Sequence, residues 1–129
     1  NKGVQGALAT AVASVRAQWV ADGANGTTVN FDGATLPVSS QGWPTPIAGT
    51  MDCGDLWRDL LQNPAPVIPY AAPLDKDKGY WALTLANASA SLCLYLYRPT
   101  FPERVMWILY YADHPTLPQW RGRIITSGF

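Results

Sequence analysis

Residues 2–21 read KGVQGALATAVASVRAQWVA, and the spacing of their apolar side chains decides the fold class. Val4, Leu8, Ala11, Val12, Val15 and Trp19 recur at steps of three and four. Residues that far apart share one face of an α-helix. The opposite face carries Gln5, Thr10, Ser14 and Arg16. Alanines at 7, 9, 11, 13, 17 and 21 raise the helix propensity. A helix over 1–22 is expected, ending at Asp22-Gly23, because glycine readily takes the left-handed conformation that caps a C-terminus. Its apolar stripe ends in Trp19, too large to leave in water. The helix is therefore expected to pack on a sheet of the same domain through Val4, Leu8, Val12, Val15 and Trp19.

Outward from the helix, residues 23–79 change character. Gly23, Gly26, Gly33, Gly42 and Gly49 alternate with Pro37, Pro44 and Pro46, which predicts loop with short extended pieces at Thr27–Phe31 and Ala34–Val38. Asn25-Gly26 and Asp32-Gly33 are turn signals. A short helix capped by Thr50 or Asp52 is expected through Leu56, Trp57, Leu60 and Leu61, ending at Asn63-Pro64. Residues 64–79 read as loop. In 80–129, Tyr80–Ala86, Ser91–Arg98, Arg104–Ala112 and Arg123–Ser127 are rich in β-formers and separated by turn residues, which predicts an antiparallel sheet of about four strands. Leu92, Leu94 and Leu96 face one way on their strand, and Cys93, Tyr95 and Tyr97 the other. Strands apolar on both faces sit centrally in a sheet. The order predicts one α+β domain over 1–129, with the helix against one sheet face.

Composition excludes several functions. The chain has 129 residues, 48% hydrophobic and 12% aromatic, enough for a core, so a disordered chain is excluded. Nine Lys+Arg balance nine Asp+Glu. With no basic excess to neutralise phosphates, nucleic acid is not an expected partner. Only 14% of residues are charged, so much neutral surface is available to face other subunits. The longest unbroken apolar run, Val105–Ala112, is far short of the ~20 residues of a membrane helix. Cys53 and Cys93 are either two buried thiols or one disulfide. The polar turn residues around Cys53 and the Pro, Gly and Trp content favour the disulfide.

The block Gly42-Trp43-Pro44, then Asp52-Cys53-Gly54-Asp55-Leu56-Trp57, then Leu60-Leu61-Gln62-Asn63-Pro64, resembles the mannose-sensitive haemagglutinin (MSHA) branch of the type IV pilins. Ser91–Tyr97 is similar to the strand that carries the second cysteine in that branch. An Ala-rich opening helix, a Gly/Thr-rich loop, a late sheet and the closing Gly122-Arg123-Ile124-Ile125-Thr126-Ser127-Gly128 complete the order. The resemblance implies the globular part of a pilin whose membrane-spanning first half-helix precedes Asn1. It implies a structural subunit rather than an enzyme, with other pilin subunits as partners. It also implies inner-membrane anchoring before assembly and a final place in an extracellular pilus on a bacterial surface. A Cys53–Cys93 bridge would brace a loop-rich domain, and loops 23–50 and 113–120 would make contacts. The Asp113–Trp120 insertion is unusual for a major subunit and points to a minor or specialised one, serving attachment. The runner-up is a pseudopilin of a type II secretion system. A rival of another class is a secreted carbohydrate-binding module.

Other chemistry is sparse. His114, in Asp113-His114-Pro115, reads as a solvent-exposed turn residue, with no nucleophile pattern near it. Asp52, Asp55 and Asp59 suit a helix N-terminus, where the dipole favours acids. Asp75-Lys76-Asp77-Lys78-Gly79 lacks the sixth-position glycine and twelfth-position glutamate of a calcium loop. Asn25-Gly26-Thr27 and Asn87-Ala88-Ser89 match short glycosylation patterns. Most of the aromatics are expected in the core. Trp120 and Tyr111, flanking the insertion, are the candidates for surface binding of a glycan or receptor. No catalytic residue, metal ligand set or cofactor is expected.

Overall fold

The computed structural model describes residues 2–47, 50–61, 67–69, 79–86, 91–114 and 116–128. Helix α1 spans Lys2–Ala21. Its stripe is buried as expected: Leu8, Val12, Val15 and Trp19 belong to the core, and Val4 packs half-buried against it. Gly23 closes the helix at φ 109. The Ala24 N–H reaches the Trp19 carbonyl at 3.0 Å and the Gly23 N–H reaches Val20 at 3.1 Å, the paired bonds of a Schellman cap.

Two short strands follow, β1 (Thr28–Phe31) and β2 (Ala34–Pro37), paired antiparallel. Asp32 and Gly33 join them with φ 48 and 82, the left-handed pair a type I′ hairpin turn requires. Val29 and Leu36 face each other across the pair and are both buried.

Helix α2 covers Cys53–Leu60. Asp52 is its cap: the Asp55 N–H donates to Asp52 Oδ1 at 2.8 Å, and the Asp52 N–H donates back to Asp55 Oδ2 at 3.2 Å. This is a capping box, which satisfies two backbone donors reciprocally. Of the three acids expected at this end, Asp52 caps, and Asp55 also pairs with Arg58 at 3.0 Å. The Asn63-Pro64 stop lies outside the described residues, as do the Asp75–Lys78 run and the 87–89 glycosylation pattern.

Strands β4 (Tyr80–Ala86), β5 (Ser91–Tyr97), β6 (Trp107–Asp113) and β7 (Ile124–Ser127) form the expected antiparallel meander. The sheet has a fifth member. Strand β3 (Val67–Pro69), within the segment expected to be loop, pairs parallel to β4 at the edge. Its three residues are too few for alternation to register in the sequence, and an edge is where a strand tolerates proline.

The inner sheet face presents Tyr80, Ala82, Cys93, Tyr95, Ile108, Tyr110 and Ala112, all buried. What covers it directly is α2 and the loop after β2. The Tyr95 hydroxyl donates to the Cys53 carbonyl at 2.7 Å, and the Cys53 N–H donates to Thr84 Oγ1 at 2.9 Å. The Tyr110 hydroxyl donates to the Pro44 carbonyl. The Trp57 ring lies 4.8 Å from Tyr80 and 4.5 Å from Tyr95. Cys53 and Cys93 are joined by a disulfide with their Cα atoms 5.6 Å apart, and both are fully buried. Helix α1 lies against β1, α2 and β7. Trp19 is buried, and its ring lies close against loop residue Gly42.

The outer face is also apolar. Leu83, Leu94, Leu109 and Ile125 form one cross-strand row, and Leu85, Leu92 and Tyr111 the next. At one end this face is roofed: Phe101 packs edge-on to Trp81 at 5.3 Å, and the Arg98 guanidinium lies 5.7 Å over the same ring. Leu83 and Leu85 remain 47% and 44% exposed.

Candidate functional site

The segment between β6 and β7 folds back over the end of the outer sheet face. It is held by Asp113, whose Oδ1 accepts from the His114 N–H at 2.8 Å and from Arg121 Nε at 2.8 Å. Arg121 Nη2 also reaches the His114 carbonyl at 3.4 Å. Proline at its first position favours the following 3₁₀ turn, Pro118–Trp120. It places Trp120 edge-on to Tyr111 at 5.3 Å.

His114 departs from the exposed turn residue expected of it. The ring is half-buried, and its Nδ1 accepts the N–H groups of Thr116 at 3.2 Å and Leu117 at 3.1 Å. Two donors aimed at one nitrogen leave that nitrogen bare, so the ring proton sits on Nε2. The imidazole lies 6.0 Å from Tyr111 and 6.4 Å from Trp120, completing a three-ring cluster. The Arg123 guanidinium stacks 4.6 Å over Trp120. Tyr111 and Trp120, expected to be exposed, are brought into contact and are half-buried.

Arg123 and His114 were missed as members of the cluster. A signal for Arg123 exists in the sequence: it lies two positions before Ile125, so on a strand both point to the same sheet face. For His114 there was none, since its placement depends on main-chain donors of its own turn.

The cluster rests on a second loop. Gly122 has φ 77, and a Cβ there would lie 2.5 Å from the Trp43 ring. Trp43 carries the Arg16 guanidinium at 5.0 Å. Arg16 also spans to the Gln41 carbonyl at 3.1 Å and lies 5.7 Å over Trp19. The two loops expected to make contacts are thus joined to each other and to α1 by stacked side chains.

The second candidate surface is the outward side of α1. Gly3, Ala7, Thr10, Ser14, Ala17 and Ala21 lie along it at alternating steps of four and three, and all are exposed. None is charged, and Ser14 turns its hydroxyl onto the Thr10 carbonyl at 2.8 Å. A groove of about 400 Å³ runs beside this stripe, bounded by Gly6, Thr10, Ser14, Phe31, Asp32 and Leu61.

Among the described residues no group of three or more His, Cys, Asp or Glu side chains could hold a metal ion. None of the described helices is long and apolar enough to cross a membrane. Compared with known proteins, the chain matches no family model, no curated protein and no solved structure.

Proposed function

We propose that this chain is the globular domain of a type IV pilin-like subunit, of the MSHA type suggested by its middle block, minor or specialised, and working by assembly rather than catalysis. The observation that carries the reading is the exposed stripe of α1. Small, uncharged side chains at steps of three and four let a neighbouring helix approach closely, and the 3.5-residue average of those steps is the repeat of helices wound around each other. An isolated helix in water gains nothing from such a face, because it has no charge for solubility and no bulk to bury. A bundle of identical helices gains close packing along its whole length.

The remaining features agree with that use. The buried Cys53–Cys93 bond clamps α2 onto the sheet, and such bonds persist in oxidising compartments, as expected of an exported domain. The partners are then other subunits of the same kind, through α1 and through the loops at 39–44 and 113–123. The place of work is a filament on a bacterial surface, reached from the inner membrane.

The test is made in cells carrying the complete gene. The filament fraction sheared from the surface should contain the chain. Cysteines introduced at Ala7 and Ala17 should cross-link neighbouring subunits within those filaments. Ala17→Arg, on the exposed side, should leave the fold intact and abolish incorporation. Absence of the chain from the sheared fraction, or normal incorporation of Ala17→Arg, overturns the reading.

A further inference from the structure

We infer that the cluster of Tyr111, His114, Trp120 and Arg123 is a binding site for a carboxylated glycan, with Arg123 taking the carboxylate. The inference stands apart from the filament reading, since it rests on side-chain chemistry in a single copy of the chain.

The first ground is what these groups leave unused. Three other aromatic side chains have their polar atoms occupied inside the protein: Trp19 Nε1 donates to the Gly26 carbonyl at 2.9 Å, and Tyr95 and Tyr110 donate to the carbonyls of Cys53 and Pro44. In the cluster, Tyr111 Oη, His114 Nε2 and Trp120 Nε1 have no hydrogen-bond partner among the described residues. The Arg123 guanidinium has neither a hydrogen bond nor a carboxylate partner among them, only the Trp120 ring. No unpaired side-chain nitrogen or oxygen of a half-buried described residue is sealed from solvent, and Arg123 is exposed, so all four groups can be reached from outside.

The second ground is their sign. All four can donate. The one carboxylate of the segment, Asp113, is already engaged through Oδ1 by Arg121 and by the His114 N–H. A surface rich in donors and short of acceptors suits a ligand that brings acceptors. A guanidinium presents a planar fork that matches a carboxylate with two parallel bonds. The third ground is shape. Three aromatic rings stand at the end of the apolar row Leu85, Leu92 and Tyr111, and an exposed ring face is apolar surface that the C–H face of a pyranose can cover. A single-stranded nucleic acid would also stack. With nine basic and nine acidic residues, however, the chain has no overall basic excess to draw a phosphate backbone to it.

Geometry holds the site ready. Arg121 and Arg123 flank Gly122, whose positive φ and contact with Trp43 turn the chain between them. One arginine is thereby spent on Asp113, and the other is delivered to Trp120. Gly122 is the hinge that separates the two jobs.

The experiment titrates the 129-residue chain, followed by calorimetry and tryptophan fluorescence. The probes are tetragalacturonate, a hyaluronan tetrasaccharide and sialyllactose, with neutral cellotetraose and a short oligothymidylate as comparators. At least one carboxylated probe should bind about tenfold more tightly than cellotetraose, and Arg123→Gln should remove that preference. Trp120→Ala should weaken acidic and neutral sugars together. Arg123→Gln alters an exposed side chain, so its thermal midpoint should match the parent, which keeps the test valid if Trp120→Ala fails to fold. Arg123→Lys, which keeps the charge and loses the fork, should fall between. Failure of every carboxylated probe, equal affinity for cellotetraose, indifference to Arg123→Gln, or tighter binding of oligothymidylate overturns the proposal. Because monomers are titrated, none of these results depends on filament assembly.

Discussion

Trp19 and Gly42 form a close contact between the end of α1 and the loop after β2. A Cβ on Gly42 would lie 2.3 Å from Cδ2 and Cε3 of the indole, and the glycine holds φ 87. No side chain fits between them. The same indole is pinned at its far end, where Nε1 donates to the Gly26 carbonyl at 2.9 Å.

Gly42→Ala is therefore expected to destabilise the domain by about 2–4 kcal/mol, from overpacking added to the left-handed backbone. Gly33→Ala is the control. It also has a positive φ, 82, but open space around its missing side chain, so only the backbone contribution of about 1–2 kcal/mol should appear. Urea unfolding of both variants measures the difference. Equal destabilisation would mean that the indole contact contributes nothing.

The disulfide closes a loop with a sequence separation of 40. The chain-entropy relation gives about 4 kcal/mol for a loop of that length. Replacing both cysteines by alanine should lower stability by roughly that amount. Since both sulfurs are fully buried, reductant should act on the native protein only as fast as it opens. Thiol titration of the denatured, unreduced chain should detect none, and two thiols per chain would refute the bond.

Alkaline pH should unfold the domain. Burial pushes the Tyr80 phenol up to about 12, with Tyr97 adding to the rise. Burial raises Tyr95 and Tyr110 as well, with Asp52 adding at the first and Tyr95 at the second. A folded-state value above the unfolded one means that the native state holds its protons longer. The stability these phenols contribute is complete below the ordinary tyrosine value near 10 and is lost as pH rises beyond it. Melting temperatures should fall steadily above about pH 10. Phenolate absorbance of the three should appear together with unfolding, whereas a smooth titration of all six tyrosines with the fold intact would contradict this.

The buried core and the outer sheet face should respond differently to mutation. Leu56 is fully buried between α2 and the core, so Leu56→Ala should cost about 2–5 kcal/mol. Leu85 lies on the outer face and is 44% exposed, so Leu85→Thr, which keeps a β-former, should change stability by only about 0.5 kcal/mol. Denaturant midpoints decide between them. A large loss at Leu85 would mean that the outer face is covered.

Much of this architecture is written in local pattern. The stripe Leu8, Val12, Val15 and Trp19 has helical spacing and is buried. Asp22-Gly23 stops the helix, Asp52 caps the next one, and the alternation in Leu92–Tyr97 assigns its two faces correctly. These features depend on residues within a few positions of one another, so their physics can be read along the chain. Strand β3 escaped because three residues carry no period. Trp19 was expected to be buried and is, while its close approach to Gly42 went unforeseen, because Gly42 has no side chain to announce a contact.

By itself, then, the amino-acid order determined an amphipathic helix, a looped middle, a meander and two cysteines suited to pairing. Only the folded chain decided that α2 and the Pro44 loop, rather than α1 alone, close the inner sheet face. It alone brought Arg123 over Trp120, and turned the His114 Nδ1 inward so that Nε2 carries the proton. Helical and strand periodicity arise from backbone geometry repeated residue by residue. Contacts between distant loops arise from where turns aim the chain, and a turn's direction is set by its surroundings as much as by its residues.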